Sequence, residues 1–270
     1  MLKKQISIIG CGWLGFPLAK NLVNKGYKVK GSSTSEGKLK TISEANIEAY
    51  VIALNEEGIT GNYTDFLTGT ETVVINIPPG LRKDPDKNHV AEIQHLINAL
   101  ENQNIKNVIY ISSTSVFEDE TNFPIINADT VPNAISNSGK QLIAIENMLR
   151  KNTSFNTTII RFGGLFDAQR HPSTYLAGRK NLSNPNAPVN LIHKEDCINI
   201  ITLIIENNIW NETFNAANPN HPTKKDYYTL YCKQHQLELP KFNASEKSKG
   251  KIIGNTKLEQ LLDYSFKQAP

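Results

Sequence analysis

Near the start of the chain an apolar run, Gln5–Ile9, breaks into Gly10-Cys11-Gly12-Trp13-Leu14-Gly15 and continues into a segment with Leu18, Leu22 and Val23 at helical spacing. A strand that turns through glycines straight into a helix opens a βαβ unit, and it commits the chain to a parallel sheet with helical crossovers. Each glycine has its own reason. Gly10 permits the tight turn, Gly12 lets backbone N–H groups approach a pyrophosphate, and Gly15 lets the helix pack close to the strand. The helix N-terminus adds a field that favours negative charge, with Trp13 and Leu14 beside the bound phosphates. Pro17 falls in the first turn, where its missing N–H costs little. A glycine-rich turn without a ligand would use the same residues, but the position directly after an apolar strand favours dinucleotide binding.

The first half repeats this alternation. Strands are expected at Gln5–Ile9, Lys28–Lys30, Ala49–Ala53, Thr72–Ile77, Asn107–Ser112 and Thr157–Phe162, mostly β-branched and apolar, as strands buried on both faces should be. Helices are expected from Asn88 to Glu101, where Val90, Ile93, Ile97 and Leu100 share a face, and from Asn137 to Arg150, where Leu142, Ile145 and Leu149 do. Val189–His193 and Cys197–Ile205 read as one more strand and helix. Residues 167–188 are rich in Pro, Asn, Arg and Ser, and prolines punctuate the chain beyond Thr213. These patterns predict an α/β protein with a doubly wound Rossmann-type parallel sheet of six or seven strands and a small discontinuous C-terminal lobe. The main domain takes residues 1–166 and 189–212, and the lobe takes 167–188 and 213–270.

Composition narrows the partners. Hydrophobic residues make up 39% of the 270, and the 16 glycines bring the apolar share to the lower edge of the globular range, so a sizeable core is expected. A net charge of +3, scattered along the chain, supplies no basic stripe for nucleic acid. No apolar run is long enough to span a bilayer, and the N-terminus carries no leader pattern, which makes the cytoplasm the expected compartment. Cys11, Cys197 and Cys232 lie far apart, so neither a disulfide framework nor a metal site is favoured.

The end of the second strand bears on the choice between NAD and NADP, because a carboxylate there would accept hydrogen bonds from the ribose 2′-OH. That carboxylate is absent. Lys30-Gly31-Ser32-Ser33-Thr34-Ser35 offers hydroxyls, with Lys38 and Lys40 downstream and Glu36 as the first acid. Ser32, Ser33 and Thr34 would suit a 2′-phosphate, which makes NADP the expected cofactor; alternatively they only form a loop and cap the next helix.

The fifth strand ends in Ser112-Ser113-Thr114-Ser115-Val116-Phe117, and Lys140 follows Ser113 by 27 residues. With the glycine loop, Ser136 to Lys140, Arg161 to Phe166 and His193 to Asp196, this order of motifs resembles the extended branch of the short-chain dehydrogenase/reductase superfamily, the NAD-dependent epimerases and dehydratases. The resemblance spans most of the chain. It implies that Ser113 polarises the substrate and that Lys140 bonds the nicotinamide ribose. One departure is central: Ser136 stands where the family's catalytic tyrosine is expected. A serine hydroxyl is a weaker acid than a phenol and shorter by a ring. The glycine loop also lacks the extra residue most epimerases carry between the first two glycines. The family's four-helix dimer contact maps to Asn88–Glu101 and Asn137–Arg150, leaving monomer and homodimer both open.

Further candidates complete the cleft. Asn76 and Pro78, in Asn76-Ile77-Pro78-Pro79-Gly80, and Phe162 at the end of the sixth strand are placed beside the dinucleotide; a rigid turn is the other use of the two prolines. Thr114, Arg170, His171, Tyr175 and His193 are candidates for a small-molecule substrate with an anionic group, although Arg170 and His171 also suit a solvated loop and His193 a buried structural role. Tyr110, Tyr175 and His193 are the candidate proton donors in place of the missing tyrosine. The expected function is an NADP(H)-binding oxidoreductase or epimerase/dehydratase-like enzyme acting on a small carbonyl or sugar-nucleotide-like substrate. The competing class is a dinucleotide sensor without catalysis. Hydrolase chemistry lacks GxSxG, HExxH or a ligand cluster.

Overall fold

A computed structural model describes residues 4–269; Met1, Leu2 and Lys3, on which the absence of a leader was partly read, lie outside the described residues. Strand β1 (Gln5–Ile9) passes through the glycine loop into α1 (Gly15–Asn24). The chain then runs β2 (Lys28–Ser33), α2 (Leu39–Ser43), β3 (Glu48–Asn55), β4 (Gly58–Gly61), α3 (Tyr63–Leu67), β5 (Thr72–Ile75), α4 (His89–Asn102) and β6 (Asn107–Ser113). The second half comprises β7 (Ile125–Ile126), α5 (Asn137–Lys151), β8 (Asn156–Phe162), β9 (Gly164–Phe166), α6 (Pro172–Leu176), β10 (Leu191–His193), α7 (Lys194–Glu206), β11 (Thr213–Ala216), α8 (Lys224–Gln234), β12 (Ile252–Ile253) and α9 (Thr256–Leu262).

The central sheet has eight strands in the order β11-β8-β6-β5-β1-β2-β3-β4. Seven are parallel, within the six or seven expected; β4 is an added antiparallel edge, a hairpin on β3, for which no strand was expected. The apolar strand runs are buried because helices cover both faces. On one face Leu18, Leu22, Ile200, Ile204 and Leu258 from α1, α7 and α9 close the core; on the other, Ile93, Leu100, Leu142, Ile145 and Leu149 from α4 and α5 do. The buried side of α4 is wider than the stripe predicted, since His89, Glu92, Leu96 and Ala99 lie on it with Ile93, Ile97 and Leu100, while Val90 is only half-buried.

From β1 the chain builds outward to β2 and β3, then returns to the other side of β1 through β5, β6, β8 and β11. The reversal between β1 and β5 opens a crevice beyond their C-terminal ends, and both the glycine loop and Asn76 sit at that point.

The predicted lobe boundary at 213 is one strand too early. Residues Thr213–Ala216 form β11, paired in parallel with β8, and Phe214 and Ala216 belong to the main core. The C-terminal segment also returns: β12 pairs with β7, and Tyr264 packs in the main core. A third, smaller core cluster lies around α6 and α8, with Tyr227, Tyr228, Leu176 and Phe242 packed against Phe166, Val189 and Leu191. Pairing partners distant in sequence decide this return, which a local apolar pattern does not record.

Candidate functional site

The crevice is a cavity of about 570 Å³ bordered by the glycine loop, the ends of β2, β5, β6 and β8, and Arg170 from the loop before α6. The three glycines of the motif divide their work as their surroundings require. Gly10 has φ +99°, and a Cβ there would come 2.5 Å from the Asn76 carbonyl oxygen. A Cβ at Gly15 would lie 2.1 Å from the Gly10 oxygen. A Cβ at Gly12 would meet no protein atom within 4 Å. Gly10 and Gly15 are therefore demanded by the packing of the protein itself, whereas Gly12 keeps open a space that faces the cavity. That open cradle lies at the N-terminus of α1, whose field favours negative charge, and it fits a pyrophosphate, although the Phe16 and Leu18 N–H groups already donate to the Gly12 and Leu14 carbonyls. Asn76 braces the turn by donating from Nδ2 to the Gly10 oxygen at 3.1 Å. Cys11, inside the loop, packs against Gly31, and burial pushes its thiol up to about 12, so it is a packing residue.

At the β2 end, Ser32 and Ser33 are buried strand residues, not loop: β2 runs three residues beyond Lys30. Ser32 Oγ accepts from the Gly10 N–H at 3.2 Å, and Ser33 Oγ from the Ser35 N–H at 3.1 Å. None of these hydroxyls caps the turn at Glu36–Lys38, whose N-cap, Ser35, makes no side-chain bond. Ser32, Ser33, Thr34 and Lys38 all border the cavity. Lys40 instead faces Glu44 on the surface.

At the β6 end, Ser112 and Ser113 border the cavity together with Phe162, Pro78 and Leu165. Ser113 Oγ accepts from the Ser115 N–H at 3.1 Å and keeps its own hydrogen for another partner. Thr114 is buried in the following turn and is not a cavity residue. Ser136 is the N-cap of α5, its Oγ accepting from the Gly139 N–H at 3.2 Å, and Lys140 is exposed and outside the cavity lining. The region is held by a buried ion pair: Arg161, 1% exposed, meets Glu146, 0% exposed, with Nη2 to Oε2 at 2.7 Å. Ser112 Oγ donates to the same carboxylate at 2.7 Å, which ties the cavity wall to the network.

The loop after β9 delivers one of its expected ligand groups. Arg170 reaches the cavity, its guanidinium 5.2 Å from the centroid of the Trp13 ring, and Lys194 Nζ lies 4.9 Å from the same centroid. Asp167 organises this arrangement: its carboxylate accepts from the backbone N–H groups of Gln169 and Arg170 and pairs with Lys194. His171 does not face the cavity, which corrects the substrate assignment. It is buried, its Nδ1 accepts from the Ser173 N–H at 3.3 Å, its Nε2 meets the Tyr227 hydroxyl at 2.8 Å, and its ring stacks on Tyr231.

Tyr175 is 61% exposed and lies outside the cavity lining. His193 accepts from the Glu195 N–H as the N-cap of α7 and contacts Phe166 edge-on, a structural role. Asp196 of the same motif accepts from the Tyr264 hydroxyl and the Lys267 N–H, anchoring the C-terminal segment. Tyr110 is fully buried, and burial raises its phenol, with the Glu146 carboxylate adding to the shift. None of the three candidate proton donors borders the cavity.

Sequence reasoning passed over Lys87 and Glu92, which do border it. Lys87 belongs to a charged stretch that reads as solvated loop. Glu92 carried a usable signal, since His89 and Glu92 sit three apart on the buried stripe of an amphipathic helix, where a polar pair requires internal partners. Among the described residues no group of three or more His, Cys, Asp or Glu is placed to hold a metal ion, and no helix is long and apolar enough to cross a membrane.

Comparison with known proteins agrees with this geometry. The family model described as NAD(P)H-binding matches residues 10–195. The protein YeeZ of Escherichia coli (strain K12) is 30% identical over 265 residues, covering 97% of this chain and 96% of YeeZ. Among solved structures, the UDP-N-acetylglucosamine 4-epimerase from Bacillus cereus superposes with a TM-score of 0.78 at 18% identity, covering 99% of this chain and 92% of that one. A short-chain dehydrogenase/reductase superfamily protein from Agrobacterium tumefaciens with bound NAD superposes with a TM-score of 0.77 at 15% identity, covering 98% of this chain. At these identities the structural likeness speaks for the fold, a Rossmann-like α/β architecture shared with epimerase-type enzymes. The chain belongs to the NAD(P)H-binding family.

Proposed function

We propose that this protein is an NADP(H)-dependent oxidoreductase or epimerase-like enzyme that acts on a small carbonyl or sugar-nucleotide-like substrate in the crevice between its main domain and its small lobe. The observation that carries this reading is the continuity of one cavity from Ser33 and Lys38, past the open space at Gly12, to Ser113 and Phe162. Its ends differ in chemistry as the ends of a dinucleotide do. Bound there, the nicotinamide would supply or accept a hydride. Ser32, Ser33, Thr34 and Lys38 favour a 2′-phosphate over a free 2′-hydroxyl, since they offer donors and one positive charge and no carboxylate. Ser113, with its hydroxyl hydrogen free to turn toward the cavity, would donate to a substrate oxygen. Arg170 would hold an anionic group near the glycine loop. The three unpaired cysteines suit the reducing cytoplasm.

A second reading, a dinucleotide sensor without turnover, is favoured by one specific observation: Ser136 is spent as a helix cap and Lys140 points to solvent. NADPH oxidation across a panel of carbonyls and nucleotide sugars separates the two. Brisk turnover that Ser113→Ala abolishes supports the enzyme; tight NADPH binding without turnover supports the sensor; brisk turnover insensitive to Ser113→Ala removes this assignment of the site. Parallel titrations with NADPH and NADH test the cofactor, and Ser33→Asp should reverse the preference by placing a carboxylate against the 2′-phosphate.

A further inference from the structure

Glu92 lies 2% exposed on the first turn of α4, yet it borders the cavity. Its Oε2 receives Lys87 Nζ at 3.0 Å and His89 Nδ1 at 2.8 Å. His89 is fully buried, and burial holds its imidazole below the usual histidine range despite the pull of Glu92. The ring is therefore neutral near pH 7, with Nδ1–H donating to Glu92 and the unpartnered Nε2 left as a bare acceptor. Lys87 is then the charge that balances this carboxylate, and its position is set by a buried anchor instead of by solvent.

Three cationic side chains border the cavity: Lys38, Lys87 and Arg170. Lys38 stands with Thr34 just beyond β2, and Arg170 lies over Trp13 in the glycine loop. On one side the Asn88 N–H donates to Glu56 Oε1 at 2.7 Å just past β3, and on the other Lys87 is tied to α5. Its carbonyl accepts from Gln141 Nε2 at 2.9 Å, the His89 N–H donates to Gln141 Oε1 at 2.8 Å, and the Pro85 carbonyl accepts from Asn137 Nδ2 at 3.0 Å. The segment before α4 thus lies across the first turns of α5. Those turns pack on the end of β6, where a Cβ at Gly139 would come 2.8 Å from the Ser115 oxygen, two residues beyond Ser113. A Cβ at Gly80, at the end of the Asn76–Gly80 loop, would lie 3.7 Å from Lys87 Nζ.

We infer that Lys87, positioned by Glu92, is the cation this cleft offers to the nicotinamide ribose of a bound dinucleotide, in place of the exposed Lys140. The inference rests on the dinucleotide reading above. With the adenosine at the β2 end and the pyrophosphate at Gly12, the second ribose falls toward the ends of β5 and β6. An ammonium there has three donors, of which Glu92 uses one, and the others suit a ribose diol. Pairing with Glu92 restricts the lysine before the ligand arrives, which lowers the ordering cost of binding. Glu92 is a positioning residue, and His89 holds it from behind.

The test compares NADPH with adenosine 2′,5′-bisphosphate, which carries only the adenosine end. The proteins are the wild type, Lys87→Met, Lys87→Arg and the double variant Lys87→Met/Glu92→Gln. Lys87→Met should weaken NADPH about tenfold, the scale of one charge-assisted hydrogen bond, and leave the bisphosphate within about twofold. Lys87→Arg should keep most of the NADPH affinity. The double variant leaves no buried carboxylate without its cation, so the same NADPH loss there excludes a folding defect as the cause. Unchanged NADPH affinity in Lys87→Met overturns the inference. Equal loss of both ligands overturns it too, because it would put Lys87 at the adenosine end. A wild type that binds neither ligand removes the dinucleotide reading itself, whereas a wild type that binds both beside a silent Lys87→Met removes this inference alone.

Discussion

Arg170 and Trp13, 157 positions apart in the chain, meet face to ring at the mouth of the crevice, with the guanidinium 5.2 Å from the indole centroid. The contact places a fixed positive charge next to the open space at Gly12, and Asp167 holds the loop that carries it. A guanidinium held over an indole ring by cation–π attraction retains donors for an anion. Arg170→Ala should weaken NADPH or a nucleotide-sugar ligand roughly tenfold, and Arg170→Lys should recover only part of it. Titration calorimetry at two salt concentrations checks this: the wild type should be more salt-sensitive than the alanine variant.

Gly12 and Gly15 should respond in opposite ways to the same substitution. Gly12→Val adds a side chain into ligand space, so a protein with near wild-type thermal stability should lose dinucleotide binding. Gly15→Val forces a Cβ onto the Gly10 carbonyl, so it should lower the melting temperature before binding is even measured. Thermal melts alongside fluorescence titrations separate the outcomes, and a folded Gly12→Val that still binds would move the cofactor elsewhere.

The Arg161–Glu146 pair should behave as a buried ion pair that is costly to break and cheap to replace. Glu146→Gln leaves the Arg161 guanidinium under-compensated and should cost about 3–5 kcal/mol in urea denaturation. Arg161→Met with Glu146→Leu removes both charges and should cost considerably less than either single change. Ser112 loses its acceptor in the second protein, so ligand affinity should fall there even where stability recovers.

His171 predicts a pH dependence for the packing of α6 against α8. Burial, with His235 nearby, lowers its imidazole to about 4 from an ordinary value near 6.5. The neutral ring already uses both nitrogens, so protonation would set an N–H against the Ser173 N–H. The unfolded chain then binds more protons than the folded one between pH 6.5 and 4. Stability should accordingly decline as pH falls through that window and level off below it. His171→Asn, which keeps an N-cap acceptor, should remove this part of the decline in melts recorded from pH 7 to 4.

What the sequence determined by itself was the local grammar. The glycine loop, the apolar strands and the stripes on α4 and α5 are legible because period and turn chemistry are set by neighbours a few residues apart. Gly12, Ser33 and Ser113 lie close to the ends of strands whose direction the alternation already implies, although β2 and β6 run on to Ser33 and Ser113, past the expected ends at Lys30 and Ser112. Tertiary structure decided which side chains share a cavity. Tyr110 looked available and is walled in by the strands beside it; His171 looked like a ligand group and is claimed by Tyr227 and Tyr231, more than fifty residues on. Lys140 follows the family spacing but points outward, while Lys87 comes in from a loop because Gln141 and Glu92 hold it there. The return of Thr213–Ala216 to the main sheet is of the same kind, since a strand's partner is chosen by register with β8 and by the core its residues complete. Propensity acts along the chain and burial acts across it, and at the edge of the crevice the second outweighs the first.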